Sequence, residues 1–317
     1  LRLNDGIPIY LVDGPLCALP NCSKVTASMR HLPTTMEHDK PIVPVPAPWK
    51  LKGTVYMISF WAQAGKLPDF TYSRLEAASN FANPVLSGEH VGGLSQFQII
   101  RYTESPVGPY DELIVCPGFF NYQAEENGQA KTKKNARITR IYVSQKYTCW
   151  NGRTNWNIPK HLARFEFNDL PDGSTKVKVY PHDTTDDVAE TQASESPFFQ
   201  ATIQPLKWAP SFPLSSDLFK YIGIDASLVQ PPLPTGNGSQ KELPGTERWS
   251  KVVPGQKSRK ACLAWVDMSQ KGEKEVPRAG FENFWPGMGR WQLGLKMEDA
   301  DIEFGDPIYW DPSQPKL

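Results

Sequence analysis

Hydrophobic and polar positions alternate with period two over much of the chain. Ala163-Arg-Phe-Glu-Phe167 and Lys176-Val-Lys-Val-Tyr180 both show it, and they flank Asn168-Asp-Leu-Pro-Asp-Gly173. Pro-Asp-Gly is a turn signal, so these runs predict a β-hairpin. In Arg137-Ile-Thr-Arg-Ile-Tyr-Val-Ser144 the alternation is less strict, as in a half-buried strand. Strand-like runs cover Thr54–Trp61, Leu94–Tyr102, Glu112–Cys116, Arg137–Trp150, Phe198–Ile203, Ala261–Val266, Trp291–Met297 and Asp301–Ile308. Helical periodicity is scarce. Phe70–Phe81 carries it best, with Leu75, Ala78 and Phe81 on one face and Thr71 as N-cap. Many strands with little helix predict a mainly β fold built on a closed antiparallel sheet.

Three stretches interrupt the pattern. The start of the chain is turn-rich and ends in Pro41-Ile-Val-Pro-Val-Pro-Ala-Pro-Trp49, which predicts residues 1–48 to be an extended arm. Glu125-Glu-Asn-Gly-Gln-Ala-Lys-Thr-Lys-Lys134 is charged and poor in apolar residues, so it reads as a solvated surface loop. Residues 205–260, around Pro231-Pro-Leu-Pro-Thr-Gly-Asn-Gly238, read as a long Pro-rich loop insertion or lid. With no internal repeat, residues 1–317 are expected to form one domain carrying these two additions.

Composition narrows the function classes. Thirty-four acidic residues balance thirty-four basic ones, which argues against nucleic acid as a partner. No run approaches the roughly 20 apolar residues of a membrane span, and Leu1–Tyr10 has no secretory-signal character. Cys17, Cys22, Cys116, Cys149 and Cys262 are odd in number and scattered, which predicts reduced thiols in the cytoplasm. Neither these nor the five histidines have metal-ligand spacing, so no metal site is expected. Gly287-Met-Gly-Arg-Trp-Gln-Leu-Gly294 lacks the strand–turn–helix context of a dinucleotide site and reads as a turn leading into a strand.

Two stretches are not explained by composition. In Ser105-Pro-Val-Gly-Pro-Tyr-Asp-Glu-Leu-Ile-Val115 a Gly-Pro turn feeds a buried strand, with Glu112 at its start. In Asn151-Gly-Arg-Thr-Asn-Trp-Asn-Ile-Pro-Lys-His-Leu162, Lys160 stands among apolar neighbours including Trp156 and Ile158. A lysine there either snorkels to solvent or is kept buried for its amine. His161 is either a core histidine bonded to backbone or a proton-transfer group. Arg153 either binds a carboxylate or braces its loop.

Together these stretches resemble the two signature segments of the acetoacetate decarboxylase superfamily. Gly108-Pro-Tyr110-Asp-Glu112 fits the Gly-x-Tyr-x-Glu element, and Gly152-Arg153 followed by Pro159-Lys160 fits the second. The match is specific over Ser105–Phe167 and looser from Trp49 onward. The resemblance implies an antiparallel barrel of acetoacetate decarboxylase type enclosing the site. It implies that Lys160 forms a Schiff base with a ketone, and that Glu112 positions substrate or moves protons. His161, Arg153, Tyr110, Gln98 and Trp156 would support them. No cofactor is implied, because the lysine is the electron sink; a small-molecule carbonyl substrate is, and a homo-oligomer is left open. A free lysine, with a pKa near ~10.4, must be activated by burial or a nearby cation, an activation of which acetoacetate decarboxylase is itself a standard example.

Three departures change the picture. His161 stands where the family decarboxylase has a second lysine, Thr54 near an expected arginine, and Gln98 near a second glutamate. A less charged pocket suits a larger β-keto acid or polyketide-like carbonyl compound of specialised metabolism. Decarboxylation, aldol condensation with dehydration, or cyclisation would then be the reaction of such a lyase. The alternatives are an acid–base isomerase or cyclase using Glu112 and His161, and a barrel that binds a hydrophobic ligand with Lys160 as counter-ion.

Overall fold

Strands that alternate in polarity can bury one face only by folding back on each other, and here the sheet closes on itself. The computed structural model describes residues 40–126, 129–218, 223, 225–271 and 281–311. Its first strands are β1 (Trp49–Ala62), β2 (Glu89–Glu104), β3 (Tyr110–Cys116), β4 (Phe119–Glu126), β5 (Gln129–Ala136) and β6 (Arg140–Val143). Next come β7 (Lys160–Asp169), β8 (Thr175–Pro181), β9 (Phe199–Pro205), β10 (Phe212–Ser215) and β11 (Leu228–Gln230). The last are β12 (Trp249–Val252), β13 (Pro254–Asp267), β14 (Trp291–Phe304) and β15 (Ile308–Trp310). Among the described residues three α-helices accompany them: α1 (Arg74–Ala77), α2 (Pro84–Ser87) and α3 (Lys146–Trp156). None is long and apolar enough to cross a membrane.

The order β1-β14-β13-β9-β8-β7-β6-β3-β2, sealed by the β1–β2 ladder, makes a closed nine-stranded barrel. The expected mainly β, closed-barrel class is what the chain adopts. Every barrel ladder is antiparallel except β6–β7, which is parallel. A parallel pair needs a crossover, and α3 supplies it. The strand expected over Arg137–Trp150 therefore stops at Val143.

Besides a small cluster of Tyr122, Val229 and Trp249, two large apolar clusters divide the core of the described residues. One takes residues from β1, β2, β3, β6, β7, β8, β9 and β13. Phe284 belongs to it and touches Phe97 of β2 at 5.0 Å and Phe199 of β9 at 4.8 Å. Those strands lie on opposite sides of the ring, so this cluster fills the barrel. The other cluster uses the far ends of the long strands, with Leu51, Val55, Ile100, Met297 and Ile302, and packs them against Cys149, Trp156 and Ile158 of the α3 region.

Several expected elements differ. Phe70–Phe81 is not one helix but a turn at Asp69–Thr71, α1, and a second turn at Asn80–Ala82. Ser79 accepts from the Phe81 amide and Asn83 from Val85, so short polar side chains restart the backbone repeatedly. The charged stretch at 125–134 belongs to the β4–β5 hairpin. The β5 half is exposed from Gln129 to Thr132, so no apolar alternation betrays it, and its lysines suit the outer end of a hairpin. The insertion at 205–260 carries β10, β11, β12 and the start of β13, runs too short to signal by periodicity. Trp291–Met297 and Asp301–Ile308 are largely one strand, β14, kinked at Asp299 with φ 47°.

Residues 1–39 of the expected arm lie outside the described residues. At its described end, Val43 and Val45 bond to Asn151 and Asn155 of α3.

If Phe284 fills the barrel, Phe284→Ala should cost about 3–5 kcal/mol in urea unfolding. A loss below about 1 kcal/mol would place that ring at the periphery instead.

Candidate active site

The lysine is delivered by the end of α3. The helix stops at Asn157, in left-handed backbone with φ 53°, whose amide side chain donates to the Pro231 and Arg248 carbonyls. Pro159 prevents resumption of the helix, and Lys160 becomes the first residue of β7. The other end of α3 is tied to β3. Ser144 Oγ accepts from the Asp111 amide at 2.8 Å, and Gln145 Nε2 donates to Val107 O at 3.0 Å. Helix, β3 and β7 are thus locked around one point.

At that point lies the Lys160 ammonium, in a residue only 4% exposed. Of the two readings of this lysine, burial is the one realised. Its Nζ donates to Glu112 Oε2 at 2.7 Å and to Thr148 Oγ1 at 3.0 Å. Glu112 Oε1 accepts from Tyr102 Oη at 3.0 Å. The Tyr110 ring centre is 5.3 Å from Nζ, and Tyr102 packs against Tyr110 at 4.3 Å. Burial, reinforced by the Glu112 charge, pushes both tyrosine hydroxyls well above their ordinary pKa, so they stay neutral donors. Gly152 lies flat on the lysine stem: a Cβ there would be 2.7 Å from both Cδ and Cε of Lys160.

His161 points the other way, because successive strand residues face opposite sides. Its Nε2 meets Glu76 Oε2 at 2.8 Å and its Nδ1 meets Glu190 Oε1 at 2.9 Å. Burial opposes charge on the imidazole, but the two carboxylates override it and push its pKa up to about 10. Burial likewise opposes charge on Glu76, yet His161 and Arg153 hold that carboxyl below its ordinary range. Arg153 donates to Glu76 Oε1 at 3.0 Å, to the Lys160 carbonyl at 3.1 Å, to Pro244 O at 3.0 Å and to Pro234 O at 2.8 Å.

The structure therefore brings together Lys160, Glu112 and Tyr110, with Arg153 behind them. Arg153 braces its surroundings: its carboxylate partner is the buried Glu76, and its other bonds go to the Lys160, Pro234 and Pro244 carbonyls. His161 is a fully buried histidine whose partners are carboxylates rather than backbone. Gln98 turns to Gln96 and Gln256 at 2.9 Å each. Trp156 packs on Trp49 and Phe304 and donates to Gly305 O, a structural position. Thr54 pairs with Arg101 on β2. Tyr102 and Tyr110 belong to the cluster that packs β1, β2 and β14 against the α3 region, which places the ammonium beside it. Sequence reasoning missed Thr148, Tyr102, Glu76 and Glu190. Thr148 and Gly152 are four apart and face Lys160 together, a signal available only once α3 is read as a helix.

Neither a protein-family model nor a curated protein matches the sequence. Among solved structures, the chain is similar to acetoacetate decarboxylase from Legionella pneumophila, with 12% identity over 89% of this chain and 98% of that one, TM-score 0.46. It is similar to the enduracididine biosynthesis enzyme MppR, with 11% identity over 89% and 94% of the two chains, TM-score 0.45. It is also similar to an acetoacetate decarboxylase-like enzyme from Sphingomonas wittichii RW1, with 8% identity over 89% and 98%, TM-score 0.45.

The His161 clamp makes stability depend on pH. A folded pKa of about 10 exceeds the unfolded value of ~6.5, so the contribution is complete below the unfolded value and is lost as pH rises toward the folded one. Unfolding free energy should fall by about 1 kcal/mol per pH unit through that window. His161→Gln should flatten the slope, and an equal slope in the variant would remove His161 as its source.

Proposed function

We propose that this chain is a lysine-dependent enzyme of the acetoacetate decarboxylase type, a lyase that forms a Schiff base between Lys160 and a carbonyl substrate. The reading rests on one observation: a buried lysine amine 2.7 Å from a carboxylate that can take its proton. Transfer of that proton to Glu112 frees the nitrogen lone pair, which attacks the carbonyl carbon. The carbinolamine hydroxyl then leaves as water with the proton held by Glu112. The resulting iminium draws electrons from the adjacent carbon, so that carbon loses carbon dioxide or a proton and an enamine remains. The neutral hydroxyls of Tyr102, Tyr110 and Thr148 are the neighbouring hydrogen-bonding groups. A β-keto acid or polyketide-like carbonyl compound is the substrate class that this chemistry serves.

The acid–base alternative fits less well. Glu112 and His161 lie on opposite faces of the sheet, and both His161 nitrogens are taken by Glu76 and Glu190. They cannot act on one substrate atom from there.

Borohydride treatment in the presence of β-keto acids and β-diketones should leave an adduct on Lys160, read by intact mass and peptide mapping, of substrate mass less one oxygen atom, and less carbon dioxide too where decarboxylation precedes reduction. Lys160→Arg keeps the charge but cannot form the imine. It should give no adduct and lose activity by on the order of 10³-fold or more. An Arg variant that stays active would exclude the imine mechanism.

A further inference from the structure

Glu76 reaches Lys160 by two routes. Its Oε1 accepts from Arg153 Nη1, and the same nitrogen donates to the Lys160 carbonyl. Its Oε2 holds Nε2 of His161, the next residue along β7. The Lys160 carbonyl has a further donor in Cys149 Sγ, at 3.2 Å, on the inner side of α3. The lysine is therefore held at both ends: the amine by Glu112 and Thr148, the backbone by Arg153 and Cys149.

That second anchor bears on chemistry because a flexible four-carbon stem separates the amine from the backbone. With Gly152 pressed flat on the stem, the amine's position depends on where the backbone starts. Glu190 provides the contrast. Its carboxylate also meets His161, at 2.9 and 3.0 Å, but its hydrogen bonds among the described residues go to His161 Nδ1 and not to Arg153. Glu76 and Glu190 thus share one histidine, and Glu76 alone of the two is joined to the lysine carbonyl.

We propose that Glu76 is a positioning residue for Lys160, fixing through Arg153 and His161 the backbone from which the amine reaches a carbonyl. This rests on the imine reading. Glu76 touches no substrate. A charged carboxylate with both oxygens engaged, in a residue 0% exposed, spans the helix, the strand and the lysine between them.

The test is borohydride trapping of 2,4-pentanedione on the full chain, giving a saturating rate and a half-saturating concentration for each variant, with folding checked by circular dichroism. Glu76→Gln and Glu76→Asp should each lower the saturating rate at least about tenfold while the half-saturating concentration stays within about twofold. Glu190→Gln removes a carboxylate from the same histidine and should change the rate by less than about threefold. Should the glutamine variant not fold, the aspartate variant, which keeps the charge, decides. Folded Glu76 variants that trap at the wild-type rate overturn the inference, as does an equal loss in Glu190→Gln. A wild-type protein that traps no carbonyl overturns the imine reading itself, and the inference with it.

Discussion

Charge taken out of water must be matched by charge. In one stretch of chain this protein buries a guanidinium, an ammonium and an imidazole pushed up to about 10, at Arg153, Lys160 and His161. Each ion costs several kcal/mol to desolvate, and an unmatched one would be severely destabilising. Three buried carboxylates answer them: Glu112 for the lysine, and Glu76 and Glu190 for the histidine, with Glu76 shared by the arginine. These carboxylates come from β3, α1 and a loop after β8. The need to bring them together dictates how those segments fold over α3 and β7. Arg140, paired with Asp183 at 3.1 Å, repeats the device beside Tyr142, the cross-strand neighbour of His161.

Much of the architecture could be read from the residues, and the reason is physical. A barrel strand with one face in the core keeps a period of two, as Ala163–Phe167 and Lys176–Tyr180 do, and those runs pair as β7 and β8. The helix that carries half of the site could not be read so. Tyr147-Thr-Cys-Trp150 is β-branched and aromatic in composition, and its buried side includes Asn151, Gly152 and Arg153 as well as Cys149 and Trp156. A helix covered on several sides by polar contacts has no apolar stripe to show.

The site divides in the same way. Lys160 and Glu112 were picked out by the resemblance of their two segments to a family's signature elements, because local chemistry alone left a snorkelling lysine open. Glu76 and Glu190 were not, because their meaning lies in contacts far along the chain. Glu76 falls off the apolar face of an apparent helix, where a carboxylate ordinarily faces water. Its complete burial follows from Arg153 and His161, neither of which can be placed beside it without the fold. Gln98 has its expected strand position, and its amide bonds to Gln96 and Gln256.

In the proposed reaction, the pairing of Lys160 with Glu112 reconciles imine chemistry with a site so deeply buried. Moving one proton across 2.7 Å converts an ion pair into a neutral pair, so the amine is freed without leaving an unmatched charge in the interior. A carbinolamine losing water with the proton from Glu112 would, in that proposed reaction, again leave a positive nitrogen beside a carboxylate. The resting state and the iminium therefore have the same charge arrangement, which the surrounding dipoles are already oriented to accept. A general base without a matched partner would have to create or lose a buried charge in each cycle. His161, enclosed by two carboxylates on the far side of the strand, is spared that task and serves to hold the frame.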